Sequence, residues 1–453
     1  ALPSPLGFAS PSGNIRLRPW LTSRGTSVAA ATARLRARAA VDVAGEDTFS
    51  WLEQLDSPEV SAWVEAQNSA TLEAFGDPRD STLFRRLLQT ETTDVDQDPL
   101  RKLPQVTKIG ELYYDFWSDA LHPHGVWRRT TLEEYSKPDP SWEVLLSLDE
   151  LGRAEGVTWV WRGYALLDDG SGNPTRAMVQ LSRGGADAFV AREFDLETKA
   201  FITPRNGGFE LPEAKSVVCY RSRDVLLVST DFGPASMTLA GYPRTVRAWH
   251  RGTSLSSSEL IYAGEMTDQI VYSFAVHERG GQSYEVILRG ISFYEEERHI
   301  SIDGGKSHSL LSIPADADLS FFGAYLLLQL GSKEFRPKGV AEPFKAGSLL
   351  VALASAALDC ESDCWKALWE PQLDRSGSAG GTPRFSTLRH VTATRSHLVL
   401  LELVKVRARL VLFRCSKAGK WERVTAPAGV EGSVVATATN DEMSGGAAIA
   451  SFS

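Results

Sequence analysis

Two periodicities divide the chain. Between about residues 50 and 90, Val60, Trp63 and Val64 stand at i, i+3 and i+4, and Leu83, Phe84, Leu87 and Leu88 share one face of a second segment, which predicts two helices. Ser57 followed by Pro58 supplies an N-cap and a first helical residue. From about Lys102 the pattern becomes strand-like and stays so. Short β-rich runs follow one another: KLPQVTKIG, ELYYDFW, VWRRTTL, WEVLLSL, TWVWRGYALL, RAMVQLS, AFVAREFD, SVVCYRS, DVLLVST, RTVRAWHR, IVYSFAVHE, SYEVILRG, HISID, DLSFFGAYLLLQLG, GSLLVALAS, FSTLRHVTAT, HLVLLELV, ARLVLFRC and KWERVTA.

Gly, Asp and Asn turns separate these runs, the signature of a meander in a sandwich or propeller. A four-strand group recurring at about 45 to 55 residues favours the propeller. Periodicity by itself does not give the number of blades.

Composition narrows the class. The chain has 453 residues, 43% hydrophobic and 23% charged with 12 Trp, which describes a soluble globular protein able to bury a large core. The longest apolar runs, such as AYLLLQL and SLLVALASAAL, fall short of the roughly 20 residues that cross a bilayer, so no membrane partner is expected. A net charge of -9 repels nucleic acid. Cys219, Cys360, Cys364 and Cys415 are too few and dispersed for a disulfide framework and read as reduced thiols. Cys219 and Cys415 lie in strand-like sequence and read as buried structural thiols, whereas Cys360 and Cys364 have the spacing of half a zinc site, which would require a second ligand pair nearby in space.

The first 44 residues stand apart, with Arg16, Arg18, Arg24, Arg34, Arg36 and Arg38 against a single acid, Asp42. That is the composition of an organellar transit segment, or of a disordered basic extension. The expected compartment is cytoplasmic or organellar.

Three ungapped stretches carry a resemblance: WLEQLDSPEVSAWVEAQN (Trp51 to Asn68), YDFWSDALHPHGVWRRTTLEEY (Tyr114 to Tyr135) and STDFGPASMTLAGYPR (Ser229 to Arg244). They resemble the N-terminal segment and β-propeller of the prolyl oligopeptidase family of serine peptidases. The resemblance covers roughly Gly45 to the end and implies an all-β, seven-bladed propeller preceded by a short helical segment. The expected organisation is an extension over 1–44, a helical segment over 45–98 and a propeller over 99–453. Ala426 to Ser453 resembles the start of the family's last blade, so that blade is expected to be incomplete here.

In the family the chemistry belongs to a C-terminal α/β-hydrolase domain carrying Ser, Asp and His. Its nucleophile stands in a Gly-x-Ser-x-Gly-like elbow, where a sharp strand-to-helix turn requires small neighbours. This sequence contains no such elbow. Ser307 is followed by His308 and Ser309, and Ser378 has Ser376 where the first Gly belongs; both read as turn serines. Hence no catalytic, cofactor-binding or metal-binding residue is assigned, and no cofactor is expected.

Other candidates have simpler readings. His122 and His124 form an H-x-H pair that could chelate a metal, but Pro123 and Gly125 mark a turn. Asp115, Asp119 and Asp231 read as turn and ladder contacts rather than acid-base groups. Arg128 and Arg129, beside Trp127, read as a pair alternating across a strand rather than a stacking or carboxylate-binding surface. SRGGAD and DGGKSH lack phosphate-loop spacing and read as hairpins. Glu295 to Glu297 reads as solvated surface.

The expected function is therefore the non-catalytic, substrate-gating propeller of a prolyl oligopeptidase-like peptidase that hydrolyses short peptides after Pro. Its expected partners are short peptides passing through the channel and a hydrolase domain. The alternative is a stand-alone propeller that binds peptides or proteins, or a decayed product without activity.

Overall fold

The computed structural model describes residues 48–54, 57–92, 106–169, 171–278, 281–359, 364–374, 384–394, 396–404, 407–416, 418–424, 431–432, 437–439 and 449–451. The Arg-rich segment, Cys360 and Ser378 lie outside them. The described residues fall into two compact units, 48–92 and the strands from 106 onward.

The first unit is helical. Ser57 caps the helix Pro58–Phe75 by accepting the Val60 N–H at 3.5 Å, and Gly76, at φ 78°, ends it. Thr82–Thr92 forms the second helix. Neither helix buries its apolar residues: Phe75 is 82%, Leu83 63% and Leu87 58% exposed.

The second unit consists of seven antiparallel sheets among the described residues. In chain order, blade 1 runs from strand Thr107–Ile109 to Glu143–Ser147, blade 2 from Trp159–Leu166 to Glu210–Ala214, and blade 3 from Val217–Ser222 to Glu259–Ala263. Blade 4 runs from Ile270–His277 to Ser309–Leu310, blade 5 from Asp318–Phe322 to Lys366–Trp369, and blade 6 from Leu373–Asp374 to Glu431–Gly432. Thr437–Thr439 pairs with Ile449–Ser451 as the seventh sheet; the rest of Ala426 to Ser453, apart from Glu431–Gly432, lies outside the described residues. This is a β-propeller preceded by a short helical segment. The opening strands of blades 2 and 3 touch, as do those of blades 3 and 4, so these sheet edges converge on the propeller axis.

Strand sequence follows from burial on both faces. In blade 3, Leu226 and Val228 pack with Met178, Phe209 and Leu211 of blade 2, while Leu227 between them packs with Val271 and Ile287 of blade 4. Blade 5 repeats the scheme: Leu326 and Leu328 face Val286 of blade 4, and Leu327 faces Leu398 and Leu400 of blade 6. Successive side chains point to opposite faces of a strand, and each face meets another sheet. A continuous apolar triplet is therefore required, and each fully buried Leu contributes about 2 kcal/mol.

Several elements differ from the sequence expectation. DLSFFGAYLLLQLG is a hairpin rather than one strand: Asp318–Phe322 pairs with Tyr325–Gln329, and Gly323 takes the turn at φ 56°. Leu148–Glu155 is a helix within the strand-rich region, capped by Ser147 and stopped by left-handed Gly156. GSLLVALAS passes from the strand Leu349–Leu353 into the helix Ala354–Leu358. The sequence expectation also omits two outer strands: Glu259–Ala263, whose apolar run ELIYA is only partly buried, and Ser309–Leu310, which is two exposed residues long.

Candidate functional site

The sequence-selected residues fall into local structural roles. Asp115 and Arg128 are cross-strand partners in blade 1, and Asp115 accepts two hydrogen bonds from Arg128, at 2.9 and 3.1 Å. The Arg128 guanidinium lies between the rings of Trp117 and Trp142, 4.4 and 4.1 Å from their centroids. Arg129 points to the other face, where it bonds Glu143 at 2.6 Å, the Tyr114 hydroxyl and the Leu196 carbonyl of blade 2. The pair does alternate across the strand. The stacking and carboxylate pairing considered for it also occur, with the chain's own carboxylates.

His122 and His124 turn to different acids. The His122 ring meets Asp119 at 3.1 Å and the His124 ring meets Asp149 at 2.7 Å. Burial opposes ionisation of Asp119, but hydrogen bonds from the His122 backbone, the Trp117 indole and the His122 ring outweigh it, leaving the carboxyl below its usual range. Among the described residues no three His, Cys, Asp or Glu side chains gather around one point. Asp231 accepts the Gly233 N–H at 2.8 Å in a turn.

Ser307 donates its hydroxyl to Asp303 at 2.7 Å in the exposed turn of DGGKSH. Hydrogen bonds from Ser301 and Ser307 hold the Asp303 carboxyl well below the usual range. Both Gly-rich stretches are turns with φ between 64° and 87°. Glu295, Glu296 and Glu297 pair with Lys333, Arg298 and Arg289, so the acidic run is neutralised surface. Cys219 donates to the Ser273 carbonyl across the boundary of blades 3 and 4, and burial pushes its thiol up to about 12.

The residues that join the blades were not selected from sequence. Glu193 of blade 2, with no solvent exposure, accepts from Arg251 and Tyr220 of blade 3 at 2.7 to 3.0 Å. Glu285 of blade 4 binds Arg221 of blade 3 through two bonds of 2.6 Å and also meets His308 at 3.0 Å. Burial raises the pKa of each acid, but the donors around it prevail and hold both carboxyls below the usual range. One signal was available: both acids interrupt apolar runs, and a carboxylate there must find a partner.

A cleft opens where blades 2, 3 and 4 meet, lined by Arg162, Asp187, Lys215, Tyr242 and Ile270 among others, with a volume of about 30 Å³. The Lys215 ammonium sits 4.3 Å from the Tyr242 ring centroid. Asp187 accepts from the Tyr242 hydroxyl at 3.3 Å and lies 3.8 Å from Lys215. Among the described residues no helix is long and apolar enough to cross a membrane.

Comparison with known proteins agrees with this architecture. The sequence profile described as the prolyl oligopeptidase N-terminal beta-propeller domain matches residues 30–288. The uncharacterized peptidase y4nA of Sinorhizobium fredii is 30% identical over 282 residues, 62% of this chain and 37% of that protein. The uncharacterized peptidase RP174 of Rickettsia prowazekii is 27% identical, covering 69% of this chain and 43% of that protein. The chain thus spans less than half of these relatives. A post-proline cleaving enzyme from Rickettsia typhi superposes with a TM-score of 0.71 over 86% of this chain and 55% of its own, at 24% identity, a likeness of fold. With more than half of its length matching that profile, the chain belongs to the prolyl oligopeptidase family of peptidases through the N-terminal β-propeller domain.

Proposed function

We propose that this chain is the substrate-gating propeller of a serine peptidase that hydrolyses short peptides after Pro, with a hydrolase domain supplying the nucleophile, acid and base. The observation that carries this reading is the set of buried ionic locks across the blade boundaries, Glu193 with Arg251 and Glu285 with Arg221. Such ties resist parting of blades 2, 3 and 4, the movement that would widen a central opening. A triad enclosed behind such an opening acts only on chains thin enough to enter, which spares folded proteins.

The test pairs this chain with the hydrolase domain of a relative such as y4nA and compares a chromogenic Pro-containing peptide with a folded protein bearing an exposed Pro loop. Cleavage of the peptide alone supports gating. Equal cleavage of both substrates, or no assembly with the hydrolase domain, overturns it. From the composition of residues 1–44 we propose a cytoplasmic location or, if they act as a transit segment, an organellar one. A fluorescent fusion of those residues reports which.

A further inference from the structure

Arg162 lies on the opening strand of blade 2, at the edge nearest the axis. The register of that strand shifts between Trp161, which pairs with Leu181, and Gly163, which pairs with Gln180, so Arg162 is the extra residue of a β-bulge. Bulges re-aim side chains. Here the guanidinium lines the cleft and acts electrostatically on Tyr242. Among the described residues it forms no hydrogen bond or ion pair, unlike the arginines that join the blades.

Blade topology explains what surrounds it. In an up-and-down sheet, the loop between the second and third strands falls at the same end as the connector to the next blade. Asp187 and Tyr242 occupy such loops in blades 2 and 3, Lys215 the connector into blade 3, and Ile270 the start of blade 4. Asp187 is already engaged by Lys215 and Tyr242, so the cluster of Arg162, Lys215 and Asp187 retains one positive charge on a chain whose net charge is -9. The volume suits a group of a few heavy atoms.

We propose that Arg162, Lys215 and Tyr242 form an anchor for a carboxylate of a passing peptide, at the rim of the axial opening. This rests on the peptide-gating reading above and adds a preference to it. Arg162 supplies a two-pronged donor and Lys215 a point charge. The source is a free C terminus or an acidic side chain; both present the same group.

The test measures binding of fluorescent Pro-containing hexapeptides to the 453-residue chain by anisotropy. Three peptides are compared: one with a free C-terminal carboxylate, its C-terminal amide, and the amide with a Glu near the end. The charged peptides should bind about tenfold more tightly than the plain amide, as a charge-assisted hydrogen bond would give. Arg162→Gln should abolish that difference without changing amide binding or Tm, since among the described residues it breaks no hydrogen bond or ion pair, and Lys215→Gln should reduce it. Which charged peptide gains more identifies the source. Equal binding of all three, or an equal loss for all three in Arg162→Gln, overturns the anchor and leaves gating intact. Failure of every peptide to bind overturns both.

Discussion

The Glu193 carboxylate, wholly buried in blade 2, takes two hydrogen bonds of 2.7 and 2.9 Å from the Arg251 guanidinium of blade 3. Tyr220 and the Phe209 N–H also donate to it at 3.0 Å each, and Arg176 of the same blade at 3.3 Å. Breaking a buried pair costs up to about 3–5 kcal/mol, and less here because Arg176 remains beside Glu193 and Asp224 beside Arg251. Glu193→Ala and Arg251→Ala should each lower Tm by several degrees, and the double variant should lose less than the sum. Additive losses in thermal melts would mean that the pair does not act as a unit.

Acid should loosen the propeller. Glu193 and Glu285 have folded pKa values held below their unfolded value, ~4.3. The unfolded chain therefore binds protons first, and the stability these groups contribute is present above that value and lost as pH falls through the lower folded one. Tm should hold between about pH 6 and 8 and drop below about pH 4. Glu285→Gln should start lower and fall less steeply with acid; a slope equal to that of the parent would contradict the assignment.

Arg128 is a structural cation rather than a ligand-binding one. Lysine cannot reproduce its flat stacking between Trp117 and Trp142 together with two bonds to Asp115. Arg128→Lys should destabilise the protein by about 1–3 kcal/mol and shift tryptophan fluorescence. Unchanged denaturant midpoints would show that the stacking contributes little.

The DGGKSH turn covers the lock between blades 3 and 4. A Cβ on Gly305, already at φ 82°, would come within 2.7 Å of both Arg221 and Glu285. Gly305→Ala should cost about 1–3 kcal/mol through backbone strain and displacement of the pair. Gly304→Ala, at φ 77° in open space, should cost only the strain. Equal melts for the two variants would remove the packing component.

The helical unit exposes Leu83, Leu87 and Phe75. Uncovered apolar faces drive association, so the chain should self-associate at tens of micromolar, and Leu83→Ser with Leu87→Ser should reduce this with little change in Tm. A compact monomer in sedimentation would contradict the expectation.

The sequence by itself determined the elements that local chemistry controls. Ser57 and Pro58 start a helix wherever they stand before Val60, Trp63 and Val64, and Gly184, Gly185, Gly304 and Gly305 close turns because they tolerate positive φ. Short β-rich runs such as DVLLVST, set between turn residues, read as strands, while their burial on both faces came from the structure. Tertiary structure decided which face meets which blade and which distant charges meet: Glu193 with Arg251 across 58 positions, Glu285 with Arg221 across 64, and Arg162, unpaired among the described residues, beside Lys215 and Tyr242. An ion pair is a relation in space, set by register and by the packing of neighbouring sheets. Spacing along the chain carries no trace of it beyond the presence of an acid in an apolar strand.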